Sequence, residues 1–261
     1  MRGQRVICYR DELHDDFAGN RIQTKPLRPD YCYMPRSPLW RALKFLIYRC
    51  LAQPIGFLYA KLFFAHRFMG REVLRQADGQ GLYLFGNHTQ AVLDAFVPNI
   101  VCWRRRGYIL VGPDTMSLPG LQNLVKMLGA IPLGETMHQK KEMIDCVHTR
   151  IREKSAVTIY PEAHIWPFYT RIRPFPADSF HYPARDGAPV FTLTTCYQKR
   201  RFGSFPKAVT WVDGPFYADL SLPAEERKQA LRDRCYGVMC RRAAEYSDHA
   251  YFFYQKTDEK E

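Results

Sequence analysis

The amino-acid sequence predicts an α/β fold, with a central mixed sheet flanked by helices and preceded by an amphipathic N-terminal helical hairpin. From residue 81 onward, short runs rich in β-branched and aromatic residues alternate with longer segments of helical spacing. Before that point, two segments of helical spacing follow one another. The chain has 261 residues, of which 46% are hydrophobic, so it can bury a core and is not a disordered chain.

We divide the chain into four segments on this basis. Residues 1–36 form a polar N-terminal extension, residues 37–78 the amphipathic hairpin, residues 79–254 the α/β domain and residues 255–261 a frayed polar tail. The N-terminal extension has no continuous apolar run of the kind found in a signal peptide, so we expect that the protein is not exported.

Two helices are predicted in the hairpin. The first begins at Ser37-Pro38, where Ser suits the N-cap and Pro the first helical position. The second begins at Pro54 and ends near Gly70. Neither helix reaches the roughly 20 apolar residues that a bilayer span requires. We therefore expect both helices to lie in a membrane interface; the alternative is a surface hairpin that only covers the core.

The charge of the chain indicates an anionic partner. There are 38 Lys and Arg residues against 26 Asp and Glu residues, a net charge of +12. Residues 37–80 contribute seven basic and two acidic side chains and are also the most apolar part of the chain. Basic and apolar residues together favour an anionic membrane surface over nucleic acid.

The cysteines indicate the compartment. None of the eight forms a C-x-x-C pair, and the chain is far longer than small disulfide-rich secreted proteins, which favours reduced thiols in the cytoplasm. Together with the charge pattern, this predicts a peripheral or monotopic protein on the cytoplasmic face of the cell membrane.

The α/β domain is predicted to contain five strands and four helices. The helices cover residues 90–103, 117–128, 137–153 and 222–246. The strands are Leu82–Phe85, Tyr108–Val111, Ala156–Tyr160, Val190–Thr194 and Ala208–Val212.

Several common catalytic signatures are absent from the sequence. It contains no G-x-x-x-x-G-K-[ST], G-x-S-x-G, H-E-x-x-H or G-x-G-x-x-G, which argues against P-loop NTPases, elbow-type serine hydrolases, zincins and dinucleotide oxidoreductases. Cys235, Cys240 and His249 lie close in sequence, but at no standard zinc spacing. We therefore expect no metal ion and no cofactor.

A candidate catalytic pair follows the first strand of the α/β domain. Asn87-His88 comes directly after that strand, and Asp94 lies on the predicted helix that follows. Functional side chains collect at such strand ends in α/β folds. The carboxylate could accept one ring N–H of His88 and leave the other nitrogen free to take a proton. The alternative is a capping histidine and an unrelated helix aspartate.

Four blocks together resemble the glycerolipid acyltransferase family, which includes the lysophosphatidic acid acyltransferases. The family's first signature is Asn-His, four residues, then Asp, and the segment from Asn87 to Asp94 is similar to it. Three further blocks follow in the family's order, and the resemblance as a whole spans about residues 37–195, including the helices before the first block. They are similar to its second block, its Phe-Pro-Glu-Gly-Thr-Arg block and its Val-Pro-Val block, and they read Gly129-Ala130-Ile131-Pro132-Leu133, Tyr160-Pro161-Glu162-Ala163-His164 and Ala188-Pro189-Val190.

The sequence departs from the family pattern at three places. Five residues rather than four separate His88 from Asp94, the second block continues with Gly134-Glu135 where the family has a basic residue, and the third block lacks its final arginine. Those cations hold the acceptor phosphate in typical members, since arginine binds phosphate in a bidentate manner. Arg171 and Arg173 could replace them from one face of a strand, or could be solvated side chains without a role.

The resemblance implies direct acyl transfer from an acyl thioester, acyl-CoA or acyl carrier protein, to a hydroxyl of a glycerolipid-type acceptor such as lysophosphatidic acid. His88 would take the proton of that hydroxyl, Asp94 would orient His88, and backbone N–H groups near the helix start would stabilise the oxyanion. Asn87 and Glu162 would bind the acceptor or order its site, alone or through Arg171 and Arg173. His164 is a second candidate base.

Two other functions remain open from the sequence. One is a hydrolase on the same scaffold that binds a metal ion through His88, Glu162 and His164 and activates water. The other is a non-catalytic module whose basic face binds acidic lipid or nucleic acid.

Overall fold

The computed structural model describes residues 5–19, 23–118 and 120–257. Seven of the strands in these residues form a central sheet, and two form a separate parallel pair. The strands are β1 (Arg5–Tyr9), β2 (Arg67–Met69), β3 (Leu82–Gly86), β4 (Gly107–Val111), β5 (Ala130–Pro132), β6 (Ala156–Ile159), β7 (Val190–Gln198), β8 (Lys207–Phe216) and β9 (Phe252–Lys256).

The central sheet has the strand order β2-β8-β7-β3-β6-β4-β5. Neighbouring strands run parallel, except for β7 and β8, which form an antiparallel hairpin. The carboxyl ends of β3 and β6 therefore meet at one edge of the sheet, which we call the carboxyl edge, and their starts meet at the opposite, amino edge. The sheet is mixed, as the sequence predicts.

Helices flank both faces of this sheet. Short 3-10 turns occupy Arg71–Ala77, Leu93–Ala95 and Asp178–Phe180. The α-helices are α1 (Pro38–Phe45), α2 (Gln53–Phe64), α3 (Val97–Val101), α4 (Pro113–Met116), α5 (Gln122–Met127), α6 (Met137–Arg152), α7 (His181–Asp186) and α8 (Ala224–Tyr246).

Strand β3 shows how the core is built. Leu82 and Leu84 face one layer and Tyr83 and Phe85 face the other, because successive side chains of a strand point to opposite faces. The first layer is closed by α2 and α3, and the second by α6, α7 and α8. All four side chains are fully buried, as expected for a parallel strand covered on both faces.

All five predicted strands are present, and four further strands are not predicted from the sequence. β2 and β5 have three residues each, which is too short for an alternating pattern. β1 and β9 pair with each other in parallel, with Arg5 opposite Phe252. The predicted polar extension and frayed tail are therefore partly wrong, since each contributes to this pair. Of those two segments, residues 1–4, 20–22 and 258–261 lie outside the described residues.

The predicted hairpin is wrong, because residues 38–64 form one helix without a reversal. α1 continues through a π-helical segment, Leu46–Ala52, directly into α2, and the backbone at both junctions is right-handed helical. The wider π-helical segment comes directly before Pro54, whose missing N–H interrupts the regular hydrogen-bond ladder. We call residues 38–64 the N-terminal helix.

The N-terminal helix ends at Phe64, where Ala65 has a left-handed backbone conformation. The residues predicted to extend it to Gly70 form β2, so the segment predicted as a separate hairpin contributes a strand to the central sheet. Among the described residues, no helix is both long enough and apolar enough to cross a bilayer.

Two of the four helices predicted in the α/β domain, α6 and α8, lie close to their expected bounds. The other two are shorter than expected. Residues 90–103 become helical at Leu93 and contain only a 3-10 turn and α3, while residues 117–128 contain α5 and follow the short α4. In the first of these segments the backbone is instead bound by an aspartate side chain, as described below.

Candidate active site

His88 and Asp94 meet at the carboxyl edge of the sheet. His88 follows β3 directly, and its Nδ1 atom lies 2.8 Å from Oδ2 of Asp94. The side chains are 18% and 4% exposed, respectively. The other ring nitrogen of His88, Nε2, has no hydrogen-bond partner among the described residues and is not buried. The pair therefore has a fixed ring orientation and one nitrogen available to a substrate.

The carboxylate of Asp94 is held by two backbone groups in addition to the imidazole. Its Oδ2 atom accepts hydrogen bonds from the backbone N–H groups of Thr89 and Gln90, both at 2.9 Å. Three donors thus converge on one carboxylate oxygen, which fixes the side chain in place.

This arrangement explains how the chain accommodates five residues between His88 and Asp94. Residues 87–90 are not helical, and the backbone N–H of Asp94 donates back to the carbonyl of Gln90. The helix expected near Gln90 therefore begins later, at Leu93. The N–H groups of Thr89 and Gln90 both donate to Asp94. They are therefore not free for the role expected of N–H groups near the helix start, which is to stabilise the oxyanion.

Tyr160 is a site residue that the sequence reasoning did not single out. Its ring stacks on His88, with centroids 4.6 Å apart and planes tilted by 18°, and its hydroxyl donates to the backbone carbonyl of Asp94 at 2.6 Å. Burial, with Asp94 adding to it, raises the pKa of Tyr160 well above its usual value, so the hydroxyl stays protonated. A Cβ atom at Gly86 would lie 2.7 Å from the Tyr160 ring, so glycine leaves room for it.

The position of Tyr160 could have been anticipated. It opens the block that contains Glu162 and directly follows β6, the strand that pairs with β3. Residues at the same end of neighbouring parallel strands lie close together, so Tyr160 had to come near His88.

Glu162 supports the backbone of His88 rather than lining the site. Its Oε2 atom accepts the N–H of His88 at 3.0 Å, and its Oε1 atom accepts the N–H of Arg173 at 2.9 Å. Burial raises the pKa of Glu162, and the guanidinium of Arg173 and the two N–H groups oppose that rise. The carboxylate is buried, so Glu162 orders the backbone of the site and does not face an open cleft beside His88.

The two arginines expected to replace the missing cations have different environments. Arg173 is fully buried; its guanidinium lies 3.4 Å from Oε2 of Glu162 and also donates to the carbonyl of His164. Arg171 is exposed, and its guanidinium carbon lies 5.5 Å from the centre of the Tyr169 ring. The segment is not a strand, so the two side chains do not share a strand face. Burial excludes Arg173 from direct contact with an acceptor.

The remaining predicted site residues make contacts that hold in place the segments that follow β3 and β6. Asn87 joins the end of β3 to β7, because its side-chain amide donates to the carbonyl of Thr195 and accepts the N–H of the same residue, at 3.0 and 2.8 Å. The carbonyl of His88 accepts the N–H of Trp166 at 3.1 Å. The described contacts of His164 involve its backbone, and none links its ring to a carboxylate.

The pair formed by β1 and β9 supports the loop that carries Glu162. Trp166, in that loop, is fully buried, and its ring lies against Tyr9 and Tyr254 with centroids 4.6 and 4.9 Å away. The indole N–H of Trp166 donates to the carbonyl of Asp15 at 2.7 Å. The polar character of both terminal segments hides this role from sequence reasoning.

The residues proposed for a metal-dependent hydrolase do not form a coordination site. In the described ranges, no group of three or more His, Cys, Asp or Glu side chains is arranged to hold a metal ion. Both oxygens of Glu162 already accept backbone N–H groups, and Nδ1 of His88 is bound to Asp94.

Comparisons with known proteins agree with this architecture. No curated protein matches the chain at a significant level. Among solved structures, it is similar to the 1-acyl-sn-glycerophosphate (LPA) acyltransferase PlsC from Thermotoga maritima, with a TM-score of 0.55, 14% sequence identity, and coverage of 80% of this chain and 89% of that chain. At this identity the similarity shows a common fold. Residues 66–195, which contain all four sequence blocks, match the protein-family model described as Acyltransferase, and the chain belongs to this family.

Proposed function

We propose that the protein moves a fatty acyl group from an acyl thioester, acyl-CoA or acyl carrier protein, to a hydroxyl of a glycerolipid-type acceptor such as lysophosphatidic acid. The observation that carries the proposal is the hydrogen bond between His88 and Asp94, which leaves Nε2 of His88 accessible. The structurally similar protein from Thermotoga maritima is a 1-acyl-sn-glycerophosphate acyltransferase, which supports a lysophospholipid acceptor.

In the proposed reaction, His88 acts as the general base. Its Nε2 atom takes the proton of the acceptor hydroxyl as the oxygen attacks the thioester carbonyl. The new carbon–oxygen bond forms, the carbon–sulfur bond breaks, and the proton passes from Nε2 to the departing thiolate. Asp94 keeps the Nδ1 side of the ring protonated and stabilises the imidazolium that forms between the two proton transfers. The chemistry uses no covalent enzyme intermediate.

The acceptor phosphate, if the acceptor carries one, meets a different set of cations from those of typical family members. Glu135, which stands where the family has a basic residue, accepts the backbone N–H of Leu27 at 3.1 Å. Arg173 is buried, and Arg171 is exposed close to the loop that carries Glu162. We therefore assign the phosphate contact to Arg171 among the residues proposed from the sequence.

The N-terminal helix supports membrane association more through its apolar face than through its charge. The residues it buries are small or polar in part, such as Gln53 and Gly56. Most of its large apolar side chains point outward, where burial of each in lipid would contribute about 1.5–3 kcal/mol when complete. These exposed side chains are Leu39, Leu43, Phe45, Leu46, Leu51, Ile55, Phe57, Leu58, Leu62 and Phe63.

The basic side chains of the same helix mostly contact the protein itself. The guanidinium of Arg49 donates to the carbonyls of Trp103 and Arg104, and Nζ of Lys61 donates to the carbonyl of His66 at 2.6 Å. Nζ of Lys44 lies 3.4 Å from the hydroxyl of Tyr108. The helix thus exposes its large apolar side chains and turns its basic side chains toward the protein, the reverse of an ordinary surface helix. This arrangement suits a helix that lies on the cytoplasmic face of a membrane.

The enzymatic proposal is tested by thiol release from long-chain acyl-CoA in detergent, with lysophosphatidic acid, lysophosphatidylcholine, glycerol 3-phosphate or monoacylglycerol as acceptor. We expect turnover that requires an acceptor and is greatest with lysophosphatidic acid. Replacement of Arg171 by Gln should raise KM for lysophosphatidic acid and leave KM for monoacylglycerol unchanged. Thiol release that is independent of every acceptor, or that stops with a chelator, would instead indicate a hydrolase.

The membrane proposal is tested by co-sedimentation with vesicles. Replacement of the exposed Ile55 and Leu58 by Ser should reduce binding strongly, since two apolar anchors are lost. Neutralising Arg49 and Lys61 should reduce it only slightly, because both side chains are bound to backbone carbonyls. A protein that remains in the supernatant with every vesicle composition would contradict membrane association.

A further inference from the structure

The loop between β7 and β8 is fixed against the end of the N-terminal helix. The guanidinium of Arg200 donates to the carbonyls of Leu62 and Phe63, at 3.2 and 2.5 Å. These are carbonyls of the last helical turn, which lack partners within the helix. Phe205, in the same loop, packs on Phe64 with ring centroids 5.2 Å apart. Two segments distant in sequence are thus joined into one surface.

The tip of this loop, residues 199–202, combines an exposed aromatic ring with unpaired positive charge. Phe202 is 74% exposed, and the guanidinium carbon of Arg201 lies 5.3 Å from the centre of its ring. Lys199 and Arg201 are exposed, and the sequence from residue 199 to residue 207 contains no acidic residue. The carboxylate of Asp248, from another segment, accepts the backbone N–H of Lys199 at 3.0 Å. An exposed aromatic ring and two exposed cations thus lie together at this tip.

The tip continues the apolar face of the N-terminal helix. Arg200 places it beside Leu62 and Phe63, which are 61% and 48% exposed. A protein partner would need acidic groups matched to Lys199 and Arg201, whereas an anionic bilayer offers both phosphates for the cations and hydrocarbon for the ring of the tip. Charge complementarity and continuity with the apolar helix face therefore favour lipid.

We propose that residues 199–202 form a second membrane-binding element, in which Phe202 enters the interface of an anionic bilayer while Lys199 and Arg201 contact lipid phosphates. This inference rests on the membrane association proposed above and adds a segment from the α/β domain to it.

The second element lies near the candidate active site. Phe168 packs against Phe64 with ring centroids 6.3 Å apart, and its backbone N–H donates to the carbonyl of Thr89 at 3.0 Å. A bilayer that contacts both the N-terminal helix and the tip is therefore held close to the turn that follows His88.

The experiment compares vesicle co-sedimentation of three variants of the full chain with that of the unmodified protein. The vesicles are phosphatidylcholine alone, or a mixture with about one third phosphatidylglycerol, at low and high salt. The variants are Phe202→Ser, the double variant Lys199→Gln and Arg201→Gln, and the control Leu220→Ser, which removes an equally exposed apolar side chain elsewhere. Arg200 is left unchanged because it binds the helix end.

We expect Phe202→Ser to weaken binding roughly three- to tenfold on both kinds of vesicle, since an apolar anchor is lost. The double variant should weaken binding by about tenfold or more on the anionic vesicles at low salt and have little effect on phosphatidylcholine or at high salt. Leu220→Ser should bind like the unmodified protein.

Three results would overturn the inference. If Phe202→Ser and the double variant bind like the unmodified protein while the variant with both Ile55 and Leu58 replaced by Ser binds less, the tip is not in contact with lipid, although membrane association itself stands. If the unmodified protein binds no vesicle, the membrane proposal fails as well. If light scattering shows a dimer without lipid that Phe202→Ser converts to a monomer, the tip is an interface between copies of the chain.

Discussion

The two edges of the central sheet each hold a histidine beside an aspartate, and the pairs differ in what surrounds them. At the carboxyl edge, His88 hydrogen-bonds Asp94 and leaves Nε2 accessible. At the amino edge, Nδ1 of His148 lies 2.5 Å from Oδ1 of Asp186, yet neither ring nitrogen makes an aligned hydrogen bond among the described residues. The hydroxyl of Tyr83 donates to the other carboxylate oxygen of Asp186.

The two pairs differ in how the carboxylate is held. Asp94 is fixed by two backbone N–H groups in a turn that follows a strand, so its orientation is set by the main chain. Asp186 is held by side chains, at the end of α7, among the helices that cover the second core layer. We therefore expect the first arrangement to orient a base and the second to contribute to stability.

The largest expected effect separates the two histidines by activity. His88→Ala should reduce kcat by roughly 10²–10⁴-fold, which is the usual contribution of a general base, and leave the free energy of unfolding nearly unchanged. His148→Ala should leave kcat within about twofold and cost roughly 1 kcal/mol of stability. The measurements are thioester turnover and urea unfolding of both variants. Comparable loss of activity in the two would remove the distinction between the edges.

A second prediction concerns the buried support at the carboxyl edge. Arg173→Met removes the cation beside Glu162 and leaves the carboxylate of Glu162 buried without a counter-charge. The free energy of unfolding should therefore fall by about 3–5 kcal/mol. Arg171→Met, at an exposed position, serves as the matched control and should change it by less than about 0.5 kcal/mol. Urea unfolding measures both changes. Equal stability of the two variants would show that the ion pair with Glu162 is not a structural support.

A third prediction concerns His66, whose ring contacts a threonine hydroxyl instead of a carboxylate. His66 is fully buried, its Nε2 atom lies 2.7 Å from Oγ1 of Thr210, and burial, with the charge of Lys61 adding to it, lowers the pKa of His66 to about 3. Between about pH 6.5 and pH 3 the unfolded chain binds a proton that the folded chain does not. The stability contributed by neutral His66 is therefore present above that range and is lost as the pH falls, by about 1.4 kcal/mol per pH unit.

The measurement is the free energy of unfolding from pH 7 to pH 4, for the unmodified protein and for His66→Gln. The difference between the two proteins should change with pH in this range, because glutamine does not titrate. A constant difference would mean that His66 is protonated in the folded protein, and the contrast with the two histidines that face carboxylates would then be lost.

The smallest expected effect separates the two tyrosines that accompany the pairs. Tyr160→Phe keeps the ring that stacks on His88 and removes the hydrogen bond to the carbonyl of Asp94, so kcat should fall about two- to tenfold with KM little changed. Tyr83→Phe removes the hydrogen bond to Asp186 and should lower stability by about 1 kcal/mol without a change in kcat. The pH profile of kcat should shift only for Tyr160→Phe. An unchanged profile would show that Tyr160 does not position the pair.

Local patterns in the sequence are enough to predict five of the seven strands of the central sheet and the meeting of His88 with Asp94. The side chains of β3 alternate between layers. A carboxylate a few residues after the end of a strand lies close to the residues at that end and can contact them. The burial of Arg173 could not be predicted, because it depends on contacts with Glu12, Glu162 and the backbone carbonyl of His164. Glu12 is far from Arg173 in the chain, and a contact with a backbone carbonyl leaves no pattern in the sequence. The N-terminal helix likewise continues through Pro54, although proline is a local signal for a break.

The pairing of β1 with β9 has a consequence for the order of events during synthesis. Closing a loop of this length costs more chain entropy than any local contact, and β9 leaves the ribosome after every strand of the central sheet. The sheet can therefore form first, while the loop that carries Glu162 still lacks the aromatic contacts of Trp166 with Tyr9 and Tyr254. We expect a nascent chain to become compact before it becomes competent for acyl transfer.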